Sequence, residues 1–293
     1  LSGGKADDSL SGGEGIDTCN GNLAVVANTT DGSCEFISGA SPNPTSVPVP
    51  PTSTPEPTST PTTPPPSGRF ETLPVSAVLP SGAECASLVR SAPEIRPENA
   101  APNANRGSRA NANTRTDWPA FDRDDGDFAG TTDEIIQSAA CKWGVPADVA
   151  RAQVTVESWG RQYFLGDWTS NGSHCPPGHP IGADGKAGQC PESLSLLQIK
   201  YRFNPDAFPA AEQSTAYGLD YAYAMWRSCY EGHDTWLNDV DRGRDYAAGD
   251  PWGCIGRWYA GRWYTSAAQT YINRVQSDLA GKRWQSPEFL SHG

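Results

Sequence analysis

The segment from Ser41 to Ser67 sets the strongest limit on what this chain can fold into: 23 of its 27 residues are Pro, Ser or Thr. Proline fixes φ and removes the amide donor, so neither helix nor sheet can run through it, and the backbone stays extended. The segment reads as a tether. It separates residues 1–40 from a body at 68–293 that is long enough to bury an ample core. In exported proteins such Pro/Ser/Thr segments are often O-glycosylated and join an enzyme to a binding or anchoring module.

Charge and hydropathy exclude two classes of function. The formal charge is −12 and the 22 basic residues are scattered, so the chain has no basic footprint for a nucleic-acid backbone. The longest wholly apolar runs are a handful of residues, as at Leu23 to Ala27, far short of the roughly 20 residues that span a bilayer. Neither a nucleic-acid partner nor a membrane span is expected.

The 8 cysteines fall as near neighbours: Cys19 with Cys34, Cys175 with Cys190, Cys229 with Cys254, leaving Cys85 and Cys141. No C-x-x-C pair occurs, so disulfides in an exported, extracellular or cell-surface protein are favoured over zinc or a redox motif. His174 and His179 flank Cys175 in a spacing that matches no usual zinc pattern. The chain opens on Leu1 without a signal peptide, which reads as a mature product or a piece of something longer.

Residues 1–18 repeat with a period of nine, Leu-Ser-Gly-Gly-Lys-Ala-Asp-Asp-Ser followed by Leu-Ser-Gly-Gly-Glu-Gly-Ile-Asp-Thr. This resembles the hemolysin-type calcium-binding nonapeptide, and the resemblance implies Ca²⁺ at Asp8 and Asp17. Two nonapeptides make barely one turn of such a roll. A Gly-rich remnant with little metal affinity and a truncated longer array are therefore both open, and no cofactor is expected for catalysis.

The body carries all 10 Trp and all 10 Tyr. Residues 68–130 read as an N-terminal extension, and helix signals concentrate in 131–293. Thr131 and Thr132 before Asp133 and Glu134 predict an N-terminus, with Gly144 as the stop. Pro146 opens a second helix that runs toward Gly160 with an apolar face at Val149, Ala152 and Val156. Further helices are expected over about Gln213 to Glu231 and Ser266 to Ala280. Residues 160–191 are too rich in Gly, Pro and Cys for helix, so the fold class is mainly α with a disulfide-bearing loop or small β insertion.

Glu157 ends the second helix beside apolar residues and near the negative end of the helix dipole. Both effects disfavour ionisation and should raise its pKa, as a general acid for a glycosidic oxygen requires. A solvated Glu at a helix end is the plainer alternative. Among the aromatics, Trp168 in a loop is the best platform for the apolar face of a sugar.

Four blocks then stand in the order of one family: Gln153-Val-Thr-Val-Glu-Ser158, Ser195-Leu-Leu-Gln-Ile199, Tyr217-Gly-Leu-Asp-Tyr221, and Trp258-Tyr-Ala-Gly261 followed by Tyr271-Ile-Asn-Arg-Val275. Over roughly 130–280 they resemble the lysozyme-like lytic transglycosylases of the soluble type. The resemblance implies a lysozyme-like catalytic domain, with Glu157 as the acid and Ser158 helping to hold it. It also implies a sugar cleft lined by Gln198, Trp258, Tyr259 and Tyr271, and a polysaccharide partner, foremost peptidoglycan. Ser195 replaces the family's Gly, Tyr259 its Asn, and the 160–191 insertion is longer than the usual spacer.

A lytic transglycosylase works with one Glu, whereas inverting hydrolysis needs a second carboxylate about 6.5–9.5 Å away. Asp167, Asp184 and Glu192 are the candidates, Glu192 the best placed in sequence, with a solvated loop acid as its alternative. Two further readings stay open. One is an inverting hydrolase on another polymer such as chitosan, using Glu157 with Glu192 or Asp184; the other is a non-catalytic wall- or glycan-binding module.

Overall fold

Thr131 begins the first long helix of the body. Its side chain accepts from the Glu134 amide while the Glu134 carboxylate accepts from the Thr131 amide, a reciprocal capping box that satisfies two otherwise orphaned donors. Gly144 ends that helix at φ 66, in the left-handed conformation that glycine reaches without steric cost. These are the start and stop that the sequence predicts. The computed structural model describes residues 71–107 and 119–291, within the second of two units into which the chain divides, Thr63–Gly293. The repeat with Asp8 and Asp17, the Cys19/Cys34 pair and the tether lie outside the described residues.

The described chain is mainly helical. In order come α1 (Gly82–Leu88), α2 (Ala100–Ala104), α3 (Thr132–Trp143) and α4 (Ala147–Ser158), then strands β1 (Gly166–Thr169), β2 (Cys190–Leu194) and β3 (Ile199–Lys200). After them follow α5 (Ala210–Gln213), α6 (Thr215–Glu231), α7 (Pro251–Ala260), α8 (Ser266–Gly281) and α9 (Pro287–Ser291). Among the described residues no helix is long and apolar enough to cross a membrane.

α6 is the central element. Tyr217, Leu219, Tyr221, Tyr223 and Trp226 are all buried although they point to different sides, the mark of a helix surrounded by protein. α3 packs along it, and α8 packs on α4 and α7. Two buried charges on α6 are matched. Asp220 accepts from the Lys142 ammonium, from the Trp143 indole at 2.9 Å and from the Gly126 amide at 2.9 Å. Arg227 pairs with Glu231 and donates to the carbonyls of Leu73 and Pro74 at 2.8 and 2.6 Å. Removing one partner from such a buried pair costs about 3–5 kcal/mol.

The α6 helix starts at Thr215, two residues later than the sequence suggests, because Ser214 serves as the N-cap and accepts from the Tyr217 amide. α7 is a helix that the sequence pattern does not announce. Its Gly253 lies so close to Trp263 that an added Cβ would stand 2.2 Å from the ring. Close packing, not helix propensity, holds it there.

The 160–191 insertion supplies β1 and the start of β2, and the residues after it complete the sheet. β2 pairs antiparallel with β1 and with β3, with Gly166 opposite Ser193 and Ser193 opposite Lys200. Three disulfides fasten the unit: Cys85–Cys141, Cys175–Cys190 and Cys229–Cys254. These are the pairings that neighbour spacing suggests for the described cysteines. The segment 71–107 is packed into the body, since buried Arg96 donates to the carbonyls of Trp159 (3.0 Å) and Phe289 (2.8 Å), and buried Asn99 to that of Gly160 (2.8 Å).

Candidate active site

Glu157 is the penultimate residue of α4, the helix that packs on α8. The Tyr271 hydroxyl on α8 donates to its Oε1. Burial raises its carboxyl pKa to about 8; the bonds from Tyr271 and from the Trp258 indole, with the charge of Arg274, pull it down, and the negative charge of Asp167 pushes it up. The group is therefore a protonated acid at neutral pH, in partial contact with solvent.

Behind it runs a chain of buried polar groups. Gln153, one turn before Glu157, accepts from the Tyr223 hydroxyl at 3.3 Å and hydrogen-bonds Tyr271. Burial pushes both phenols above the ordinary tyrosine range, so each remains a donor. Tyr271 thus presents its proton to Glu157. Its ring stacks on Tyr259 at 4.8 Å and 5° between planes, and Tyr259 is 61% exposed.

The β2–β3 turn closes the other side. Trp258 donates its indole N–H to the Leu197 carbonyl at 3.0 Å. Gln198 donates its amide to the carbonyls of Phe164 and Ser195 at 2.9 and 3.0 Å. Gly166 makes room for this, since a Cβ there would stand 2.2 Å from Gln198 Oε1.

Four of the seven described non-glycine residues with positive φ lie just after Glu157, on β1 or in the β2–β3 turn: Trp159 (58°), Asp167 (48°), Ser195 (75°) and Gln198 (53°). Such backbone costs of order 1–3 kcal/mol per residue and gathers at functional sites. The angle at Ser195 also gives a physical reason why the resembled family has glycine at this place. Here the Ser195 hydroxyl is buried without a hydrogen-bond partner.

The structure brings Glu157, Trp258, Tyr259 and Tyr271 to one junction, and Gln198 follows Leu197, whose carbonyl accepts from Trp258. Ser158 is engaged differently from what the resemblance implies. Its buried hydroxyl donates back to the Val154 carbonyl at 3.3 Å, and Tyr271 is the residue that holds the acid. Trp168 has Lys186 Nζ 4.2 Å from its ring centroid, so a cation covers part of the surface that a sugar would use.

Of the candidate second carboxylates, Glu192 is buried on β2 with both oxygens taken. Oε1 meets His174 Nδ1 at 2.6 Å and Oε2 meets Lys200 Nζ at 3.0 Å. Asp184 pairs with His179 at 3.1 Å, whose other nitrogen meets Glu212 at 3.0 Å. Asp167 is the one of the three whose charge acts on Glu157, and its side chain is 57% exposed. Its left-handed backbone, φ 48, is the feature that sequence spacing does not disclose.

Among the described residues no group of His, Cys, Asp and Glu is placed to hold a metal ion. A small hollow of about 20 Å³ lies elsewhere, against Lys142, Asp125 and Asp220, and none of its walls comes from the Glu157 junction. In comparisons with known proteins the chain matches no family model, no curated protein and no solved structure.

Proposed function

We propose that the chain is an exported glycan-cleaving enzyme of the lytic transglycosylase or muramidase type, acting on peptidoglycan with Glu157 as general acid and base. The observation that carries this reading is the Glu157 carboxyl itself, pushed up to about 8 by burial and held by Tyr271 at a junction where Tyr259 and Gln198 are accessible. Glu157 gives its proton to the bridging oxygen and the bond to the sugar carbon breaks. The resulting carboxylate then takes the proton of the sugar's 6-hydroxyl as that oxygen closes a 1,6-anhydro ring, which returns Glu157 to its starting state. The described disulfides support an oxidising compartment.

Asp167 supports a second way to finish the same cleavage. As a base it takes a proton from water attacking the sugar carbon, and the product is then a reducing end. Its position favours it over Glu192 and Asp184 in a hydrolytic reading, for chitosan as for peptidoglycan.

Mass spectrometry of products from peptidoglycan, chitosan and a neutral β-glucan, with Glu157→Gln as control, tests the proposal. We expect cleavage of peptidoglycan, reduced roughly 10²–10⁴-fold in Glu157→Gln with polymer binding retained. Binding without cleavage in both proteins would leave a glycan-binding module in its place.

A further inference from the structure

The three strands carry a connected row of charged and polar side chains beyond Glu157 and Tyr271. Asn171 donates to His174 Nε2 at 3.3 Å, which leaves Nδ1 as the protonated nitrogen, and Nδ1 donates to Glu192 Oε1 at 2.6 Å. The other oxygen of Glu192 accepts from Lys200 Nζ at 3.0 Å. The same ammonium reaches Asp167 Oδ2 at 3.2 Å, and the Ser193 hydroxyl donates to that oxygen at 2.7 Å. His174 is fastened at the far end, since the next residue, Cys175, is bonded to Cys190 at the start of β2.

The register explains why this row exists. Gly166 lies opposite Ser193 and Trp168 opposite Pro191, so Asp167 lies opposite Glu192. Two carboxylates facing each other across strands repel, and Lys200 from β3 stands between them and bonds both. The left-handed backbone at Asp167 turns its side chain to Ser193 Oγ, and the opposite oxygen, Oδ1, has no bond to either donor.

We infer that Lys200, anchored on Glu192 and through it on His174, is a positioning residue that fixes Asp167 as the second carboxylate and so directs water onto the sugar carbon. This rests on the reading of Glu157 as the acid. The step balances: Glu157 supplies the proton to the leaving oxygen, Asp167 takes one from the attacking water, and solvent exchange restores both. Without the clamp Asp167 is no longer held over the water, and ring closure by the 6-hydroxyl, which in wild type runs beside hydrolysis, takes the larger share.

The test uses the full chain on peptidoglycan, with kcat, KM and the ratio of reducing to 1,6-anhydro ends measured for wild type, Lys200→Met, Lys200→Arg and Ser193→Ala. Lys200→Met is expected to lower kcat roughly ten- to a hundredfold with little change in KM and to move the products toward anhydro ends, and Lys200→Arg to recover most of the wild-type ratio. If Lys200→Met does not fold, as judged by its melting curve, Ser193→Ala removes the other donor to the same oxygen and is expected to move the ratio the same way. A folded Lys200→Met or Ser193→Ala with wild-type kcat and product ratio would overturn the inference. So would a wild type that makes anhydro ends alone, with Glu157→Gln inactive, and in that case the acid reading stands. Undiminished cleavage by Glu157→Gln would instead sink the acid reading and this inference with it.

Discussion

The Tyr271 hydroxyl donates to Glu157 across the contact between α8 and α4, so the acid takes its donor from a residue 114 positions away in sequence. That bond favours the ionised carboxylate, whereas burial and Asp167 favour the neutral one, and burial wins.

Tyr271→Phe keeps the ring stacked on Tyr259 and removes only the donor. Losing a bond that stabilises the charged form moves the Glu157 pKa further up. The alkaline limb of the pH–rate profile, near 8 in wild type, should rise by about one unit. A limb that stays put or falls would show that Tyr271 does not act on the proton of Glu157.

Glu157→Gln should alter stability in a pH-dependent way. The folded pKa of about 8 lies above the reference value of 4.5, so the folded state binds the proton more tightly than the unfolded state. The contribution of this group is intact below 4.5 and is lost as pH rises to about 8. Glutamine does not titrate, so the variant should match wild type near pH 4 and exceed it by about 1–3 kcal/mol at pH 8 and above, allowing for partial exposure. Urea titrations at the two pH values decide this; a variant less stable at pH 8 contradicts it.

Ser195→Gly should stabilise the fold. Serine at φ 75 costs about 1–2 kcal/mol and its buried hydroxyl lacks a partner, while glycine adds about 0.5–1 kcal/mol of backbone entropy cost. A net gain of about 1 kcal/mol corresponds to roughly 2–4 °C in Tm for a body of this size. Calorimetry showing a lower Tm would mean that the serine is held by something other than strain.

Gly166→Ala should act on substrate and leave the core alone. The new Cβ would fall 2.2 Å from Gln198 Oε1, the end of a side chain that swings away before the backbone moves. We expect KM to rise about tenfold with Tm nearly unchanged, and Gln198→Ala to reproduce the effect. Unaltered kinetics in both would remove Gln198 from the sugar-binding surface.

Much of this is legible in the residues. Thr131, Gly144, Pro146 and Gly232 bound three helices through local hydrogen bonding, which neighbours in sequence determine. Glu157 stands out as an acid at the end of an apolar helix. Features that depend on distant partners do not stand out. Helix α7 contains Gly253 and Gly256, which argue against helix until Trp263 and Ile272 are seen packed on them. By sequence Glu192 is the better placed second carboxylate, because spacing says nothing of His174 and Lys200, which occupy it.

The residues before Thr131 read as an extension, yet the body is threaded by them. Cys85 is bonded to Cys141 on α3, the Leu73 amide donates to the Gly144 carbonyl at 3.1 Å, and Arg96 and Asn99 hold the backbone just after Glu157. A piece cut at residue 131 would carry an unpaired Cys141, would lose the Ala92 donor to Glu134 and the Leu73 and Pro74 acceptors of Arg227, and would loosen the end of the helix that bears Glu157. The smallest portable form of this body therefore begins ahead of Leu73, and shortening it is limited by a stretch of chain that supplies none of the groups acting on the Glu157 carboxyl.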